Sequence, residues 1–278
     1  MAIQAILFRN LKAIGFGLVF AMTLIGHAAA KEEITWGLIN FAPENKSRTD
    51  LARELIQEKL SAYEHETVIA TIPRITSEIK NGSPWCWVGA LKNSERESFS
   101  TLSIPFIFTL PQQIMVRKDR LPEFTGKGQL SLETLLQDRT LLTSIARSRV
   151  YSPTIDALLL RYPPAQSTSS IPEAIQMLLA NRLDYVLEDG GVAAVHAKVL
   201  GQPDSLVGLP FKEMSPYILG RVMCPKTEWG KKVIADINAV LRAERPTPRY
   251  RSIVEAFHSE DENRTLRHLY DDVFLKAE

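Results

Sequence analysis

The sequence predicts an α/β fold, because strand-like and helix-like segments alternate along most of the chain. Runs rich in β-branched and aromatic residues, such as EITWGLIN at 33–40, are followed by apolar residues at helical spacing, as in DLARELIQEKLSAY at 50–63. The alternation continues to the strand at 215–224, after which three helices finish the chain, and there is no internal repeat or long linker. Strands that alternate with helices favour mostly parallel sheets, with ligand sites beyond the carboxyl ends of the strands.

The individual elements follow from local patterns. Strands are expected where short apolar runs are bounded by Gly, Pro, Asn or Asp, and helices where apolar residues recur three and four residues apart after a capping residue. The expected strands are 33–40, 66–72, 85–91, 110–117, 141–146, 183–187 and 215–224. The expected helices are 50–63, 74–80, 131–136, one from Ser152-Pro153, 171–182, 192–200, 228–242, 250–258 and 262–275.

The first thirty residues have the layout of a secretory signal peptide. Arg9 and Lys12 precede an uncharged apolar run at 13–25, and small residues stand at Ala28 and Ala30. The run is shorter than the roughly 20 apolar residues that span a bilayer. We therefore expect cleavage after Ala30 and export to the periplasm, with an uncleaved N-terminal anchor as the alternative.

The charge balance of the expected mature chain, 31–278, excludes a nucleic-acid partner. The whole chain carries 33 basic and 32 acidic residues, and removal of Arg9 and Lys12 leaves 31 basic residues against 32 acidic ones. A nucleic-acid-binding protein would carry a clear basic excess. No further segment of the sequence reads as membrane-spanning.

Two cysteines, Cys86 and Cys224, lie in the expected exported part of the chain. Export permits a disulfide, and the contexts PWCWVGAL and GRVMCPK both read as short apolar strands that could be neighbours in one sheet. The alternative is two separate buried thiols. A metal site is not expected, because two distant cysteines without paired histidines lack the spacing of zinc ligands.

The stretch ALKNSERESFSTLSIPF at 90–106 places Arg96 between Glu95 and Glu97. One interpretation is a solvated charge cluster in which Arg96 pairs with a neighbouring glutamate. The other is a buried arginine that binds a carboxylate in a cleft, because a guanidinium donates two parallel charged hydrogen bonds.

The order of several segments resembles one known family. An aromatic-X-Pro loop at Phe41 is followed by ITSEIKNGSPWCWVGAL and the SERE motif at 94–97. Ser103 in SIPF comes seven residues after Arg96. AIQMLLANRLDYVLED and SPYILGRVMCPKTEWGKKVIADINAVL then follow. This order resembles the family 3 extracellular solute-binding proteins of the periplasmic amino-acid-binding type, with this chain as a divergent member.

The resemblance implies a two-lobed, periplasmic-binding-protein-like (type II) fold with a ligand cleft between the lobes. Residues 1–30 would be the signal peptide. Lobe one would comprise 31–111 and 211–278, and lobe two, 112–210, would be inserted between two hinge crossings near 112–117 and 209–215. Ligand capture would proceed by hinge closure.

The resemblance also implies roles for individual residues. Arg96 would bind the ligand carboxylate, Asp189 the ligand amino group, and Phe41 would pack against the ligand side chain. The residue-level alternatives are that Asp189 only caps the following helix, that Phe41 is a packing residue, and that Arg147 and Arg149 are solvated.

This chain departs from the family pattern at two loops. Hydroxyl residues are usual just before the arginine motif, whereas Gly89 and Ala90 stand here and leave only backbone donors. In the loop of lobe two, which usually forms an anion site at a helix start, only Ser148 keeps the hydroxyl. Trp85 and Trp87 would share one strand face as core residues.

The function implied is a periplasmic solute-binding protein that captures a small polar, carboxylate-bearing or zwitterionic ligand for a membrane transporter or sensor. It would be a monomer without cofactor, metal or enzymatic activity. One alternative is a dehydratase-like enzyme on the same fold, for which Glu188 or Asp189 would be the general acid. The other is a degenerate, ligand-free interaction module, which the lost hydroxyls favour.

Overall fold

The computed structural model describes residues 31–39, 46–126, 128–256 and 260–278, and only the backbone of Asp261. The predicted signal peptide and Phe41 lie outside these residues, so the predictions for them stay predictions. Within the described ranges, no helix has the length and apolarity needed to cross a bilayer.

Strands and helices alternate over most of the described residues, as the sequence predicts. The strands Gln166–Thr168 and Leu206–Leu209 and the helices Ser94–Phe99 and Leu121–Phe124 are not among the predicted elements. The strands are β1 Glu32–Leu38, β2 Tyr63–Ile69, β3 Trp85–Ala90, β4 Ser100–Thr109, β5 Gln113–Arg117, β6 Ser144–Ala146, β7 Gln166–Thr168, β8 Val186–Glu188, β9 Leu206–Leu209 and β10 Ile218–Pro225. The helices are α1 Arg48–Lys59, α2 Ile72–Lys80, α3 Ser94–Phe99, α4 Leu121–Phe124, α5 Leu132–Gln137, α6 Pro153–Arg161, α7 Ile171–Leu179, α8 Gly190–Val199, α9 Glu228–Glu244, α10 Pro248–Glu255 and α11 Glu260–Leu269.

The first lobe is built on a five-stranded sheet in the order β2-β1-β3-β10-β4. β1 pairs in parallel with β2 and β3, and β10 is antiparallel to both of its neighbours. The second lobe contains the antiparallel sheet β8-β5-β9 and the parallel pair β6-β7. The α/β, two-lobed fold class is therefore confirmed.

The expectation of mostly parallel sheets is wrong. β4 is the last strand of the first sheet before the chain enters the second lobe after Thr109, and β10 is the first strand after it returns. Outgoing and returning strands that lie side by side run in opposite directions, so β10 pairs antiparallel with β4 over its whole length.

Local capping determines where several helices begin. Ser152 accepts a hydrogen bond from the Ile155 amide and Pro153 occupies the first turn of α6, as the sequence predicts. Helix α1 begins earlier than expected, because Ser47 and Asp50 form a reciprocal capping box. Arg48 therefore lies in the first turn of that helix.

Each lobe has its own apolar core. In the first lobe, residues of the central strands pack against α1, α9, α10 and the C-terminal segment, and the fully buried aromatic side chains are Trp36, Phe106, Phe108, Tyr250, Tyr270 and Phe274. In the second lobe, two clusters lie around β5 and β8. The two lobes are therefore packed around separate apolar cores.

The predicted disulfide is confirmed. Cys86 on β3 and Cys224 on the neighbouring β10 are both fully buried, and their Sγ atoms lie 2.00 Å apart. The bond joins the central strand of the first sheet, β3, to its neighbour β10. The alternative of two separate buried thiols is wrong.

Candidate functional site

Arg96 is a buried residue at the contact between the lobes. Asn93 caps α3 by accepting a hydrogen bond from the Arg96 amide, which fixes the residue in the first turn. The side chain is 4% exposed. Its Nη1 donates to the carbonyl of Leu91 at 2.7 Å, and its Nη2 donates to the carbonyl of Ser148 in the second lobe at 3.3 Å.

The two glutamates beside Arg96 have other partners. Glu95 lies 3.2 Å from the Nζ of Lys80, and Glu97 lies 2.9 Å from the Nζ of Lys92. Both ion pairs are on the surface, whereas the Arg96 guanidinium points into the protein. The interpretation of Arg96 as a surface ion pair with its neighbours is therefore wrong.

The Arg96 guanidinium packs against the ring of Trp87. The Cζ atom of Arg96 lies 4.6 Å from the centre of the Trp87 ring, which is close enough for a cation–π contact. Trp85, two residues earlier on β3, packs in the same apolar cluster and lies under Arg74 at 5.9 Å. Sequence reasoning assigned both tryptophans to the core and missed the contact of Trp87 with Arg96.

Arg96 has no ion-pair partner among the described residues. Burial lowers the pKa of its guanidinium to about 10, and the charges of Asp156 and Glu95 oppose this shift. Asp156, at the start of α6, is itself engaged as the acceptor of the Tyr151 amide, and burial raises its pKa. The site thus contains a buried cation that is charged at neutral pH and lacks a contacting carboxylate.

Two of the predicted site residues, Gly89 and Ala90, lie at the end of β3. Gly89 has a φ of +82°, a conformation that favours glycine, and Ala90 is fully buried. Ser148 lies in the loop after β6 with a φ of +60°. It meets Arg96 through its backbone carbonyl rather than through its hydroxyl.

Asp189 lies between a helix start and an arginine of the other lobe. Its Oδ1 accepts a hydrogen bond from the Val192 amide at 3.0 Å and so caps α8. Its Oδ2 lies 4.0 Å from the Nη2 of Arg48 in the first lobe. Sequence reasoning considered the capping role but missed Arg48, whose only local signal was its place after the capping residue Ser47.

Arg149 does not lie in solvent, contrary to the expectation for Arg147 and Arg149. Arg147 is exposed, but Arg149 donates two hydrogen bonds, of 2.5 and 2.8 Å, to the buried carboxylate of Glu188. It also lies 5.0 Å from the ring centre of Tyr151. The adjacent cavity, of about 10 Å³, has room for about one water molecule.

A larger groove of about 500 Å³ lies elsewhere on the first lobe, and none of the predicted ligand-binding residues lines it. Its basic side chains already have acceptors. Arg242 pairs with the Glu278 carboxylate, Arg221 donates to the carbonyls of Ser103 and Glu278, and Lys226 donates to the Glu97 carbonyl. The interlobe residues are therefore the stronger candidate site.

Two α/β lobes that the chain crosses between twice are the fold of the periplasmic-binding-protein-like proteins. Solved structures with this fold include a substrate-binding protein of an amino acid ABC transporter from Streptococcus pneumoniae, bound to L-arginine. It is 16% identical, with a TM-score of 0.61, and the match covers 80% of this chain and 92% of that chain. The resemblance seen in the sequence is thus confirmed at the level of the fold.

Two further solved structures with this fold come from proteins of different kinds, one a binding protein and the other a sensor domain. An ancestral arginine-binding protein bound to glutamine is 19% identical, with a TM-score of 0.62 over 83% of this chain and all of that one. A histidine kinase sensor domain with similarity to periplasmic binding proteins is 16% identical, with a TM-score of 0.64 over 80% and 94% of the two chains. No family model and no curated protein sequence matches the chain.

Proposed function

We propose that this protein is a periplasmic solute-binding protein that captures a small carboxylate-bearing or zwitterionic ligand between its lobes. The observation that carries the proposal is Arg96, a buried guanidinium at the interlobe contact without a carboxylate partner among the described residues. A buried charge without a counter-charge is costly. A ligand carboxylate would supply that counter-charge together with two charged hydrogen bonds.

Arg245 provides an internal comparison for this argument. It is also a buried arginine, at 3% exposure, but it donates five hydrogen bonds to backbone carbonyls, four of them in the C-terminal segment 274–277 and one to Pro105 on β4. Its donors are used within the fold, as expected of a structural arginine. Among the described residues, the Arg96 side chain donates to two carbonyls, one of them at 3.3 Å, and so keeps donors for a ligand.

Hinge closure would bring the second lobe onto the ligand. The chain leaves the first sheet after Thr109, enters the second sheet at Gln113, and returns between Leu209 and Ile218. These connections support hinges near 112–117 and 209–215, with lobe one at 31–111 and 211–278 and lobe two at 112–210. A carboxylate that enters beneath Arg96 would replace the neutral carbonyl of Ser148 with a charged acceptor.

The proposal also covers where the protein is located and which membrane protein it works with. The signal-peptide layout of residues 1–30 supports export and cleavage after Ala30. Delivery to a transporter and signalling through a sensor are both open, because proteins of similar fold include a transporter's substrate-binding protein and a kinase sensor domain. Asp189, Ser148, Gly89, Ala90 and Phe41 would complete the ligand site, in a monomer without cofactor.

A dehydratase-like enzyme is less well supported than a binding protein. Glu188 accepts two hydrogen bonds from Arg149 and one from the Asp189 amide, so both of its carboxylate oxygens act as acceptors. Asp189 caps α8 and faces Arg48. Neither carboxylate is therefore arranged as a proton donor.

A ligand-free interaction module is the second candidate, and one contact favours it. Arg96 reaches the Ser148 carbonyl directly, so the two lobes already touch where a ligand would lie. In such a module the closed arrangement would persist without a ligand.

Thermal unfolding of the full chain, produced with its own leader and purified from the periplasm, tests the proposal. The panel contains amino acids, dicarboxylates and small peptides. A ligand at about 100 times its Kd adds about 2.7 kcal/mol to the free energy of unfolding. A shift that disappears in Arg96→Met but persists in the exposed-arginine control Arg74→Met supports a binding protein. A folded protein that no member of the panel stabilises contradicts it and favours the ligand-free module.

A further inference from the structure

Both carboxylate oxygens of Asp189 already have partners within the protein. Oδ1 accepts the Val192 amide of α8, and Oδ2 faces the Arg48 guanidinium at 4.0 Å. Both side chains are largely buried, with 20% and 16% of the respective side chains exposed. A ligand ammonium group that approached Asp189 would therefore meet a resident cation.

Arg48 is fixed in this position by the first lobe. Its Nη2 also donates to the hydroxyl of Thr109, the last residue of β4, at 2.9 Å. Burial lowers the pKa of Arg48, and the negative charges of Asp189 and of the exposed Glu262 oppose this shift. Arg48 thus has an anchor at the point where the chain leaves the first lobe.

Among the described arginines near the interlobe contact, Arg48 and Arg149 lie against carboxylates, whereas the buried Arg96 does not. Arg48 lies against Asp189, and Arg149 is paired with Glu188. Asp156 accepts the Tyr151 amide and contributes only a longer-range attraction to Arg96. Within the part of the chain that the structure describes, the buried interlobe charge that remains to be matched is the guanidinium of Arg96.

We propose that Arg48 occupies the position of a ligand ammonium group, so that the site selects a carboxylic acid without an amino group over the corresponding amino acid. This inference rests on the proposed function and narrows its ligand class. The ligand brings one carboxylate to Arg96, and Arg48 stays with Asp189. A zwitterion would need to displace Arg48 or leave its own ammonium group unpaired in the cleft, which is costly.

The test uses matched ligand pairs that differ only in the α-amino group. Glutarate and L-glutamate, 4-methylpentanoate and L-leucine, and 3-phenylpropanoate and L-phenylalanine are titrated into the full-length protein by calorimetry. The wild-type protein should bind at least one des-amino acid about tenfold or more tightly than its amino acid partner. Arg48→Ala should remove or reverse that preference, because it opens Asp189 to an ammonium group.

Arg48→Lys is the control for charge, since it keeps a cation beside Asp189. It should keep the preference for the des-amino acid and remains informative if Arg48→Ala does not fold. Equal or tighter binding of the amino acid by the wild-type protein would overturn the inference but leave the proposed function standing. A preference that Arg48→Ala leaves unchanged would also overturn it. Failure of every pair to bind would contradict the proposed function itself and the inference with it.

Discussion

The guanidinium of Arg96 lies on the face of the Trp87 ring, 4.6 Å from its centre, and Trp87 is 5% exposed. The ring offers a buried cation partial compensation without an opposite charge. It therefore holds Arg96 in place without using the N–H groups that would donate to a ligand carboxylate. Trp87 and Arg96 act as one unit in the proposed site.

We expect Trp87→Leu to weaken ligand binding about tenfold or more, because a buried cation–π contact contributes about 2 kcal/mol. Trp87→Phe should give an intermediate affinity, since Phe keeps a weaker π face. The matched control is Trp85→Leu, which removes the neighbouring ring beneath the exposed Arg74. Calorimetric titration with a ligand found in the screen measures all three variants. Equal losses in Trp87→Leu and Trp85→Leu would mean that general packing, not support of Arg96, determines affinity.

The buried pair Arg149–Glu188 should be coupled strongly. Arg149→Met leaves the Glu188 carboxylate buried without its partner and should cost about 3–5 kcal/mol of unfolding free energy. The double variant Arg149→Met/Glu188→Gln should recover most of this loss, because no buried charge then remains. Urea unfolding of the single and double variants measures the coupling.

An exposed arginine pair provides the control for that cycle. Arg249 donates two hydrogen bonds to Glu58 on the surface of the first lobe. Arg249→Met should leave the melting temperature nearly unchanged, because water screens exposed pairs. A double variant at Arg149 and Glu188 no more stable than Arg149→Met alone would show that the cost lies in packing.

The Cys86–Cys224 disulfide should be a major source of stability. It closes a long loop, with a sequence separation of 138 residues. In the chain-entropy model such a loop contributes about 5 kcal/mol. The oxidised protein should show no free thiol under denaturing conditions, and Cys86→Ser/Cys224→Ser should unfold at a clearly lower urea concentration. Two titratable thiols in the untreated protein would contradict the disulfide.

Stability of the first lobe should fall in mild acid because of His65. Trp36 Nε1 donates to His65 Nδ1 at 3.1 Å, and His65 Nε2 lies 3.2 Å from the Leu60 carbonyl, so the neutral ring satisfies both contacts. Burial, with smaller contributions from Lys31 and Arg53, lowers the pKa of His65. The folded state therefore favours the neutral ring, and its contribution is fully present above the unfolded pKa of about 6.5.

That contribution is lost as the pH falls below about 6.5 towards the lower folded pKa of His65. The melting temperature of wild type should decrease between pH 7 and pH 5, and His65→Asn should decrease less, since Asn does not protonate there. Burial also lowers the pKa of His196, so part of the decrease should remain. His268→Asn, at an exposed position, should behave as wild type. Parallel curves for wild type and His65→Asn would show that His65 is not responsible.

The sequence alone was sufficient for features that depend on local pattern. Alternating periodicities predicted the α/β class, and Ser152 and Ser170 marked helix starts because a hydroxyl that accepts an amide is a short-range contact. Two apolar strands that each carry a cysteine predicted the disulfide. The position of Arg96 after β3 also followed from motif order, although its burial did not.

The tertiary structure alone decided which charges meet across the cleft. Arg96 contacts Ser148, and Arg48 contacts Asp189. The two residues of each pair are distant in sequence, and their contact depends on how the lobes lie against each other. The pairing of Arg149 with Glu188 likewise needs a loop and a strand of the second lobe to pack together. Local periodicity reports the side of a helix or strand that is buried, but not which buried charge lies opposite. The order of motifs in the sequence was enough to indicate a carboxylate-binding arginine. Only the fold showed that Arg48 lies against Asp189, because that contact depends on tertiary packing.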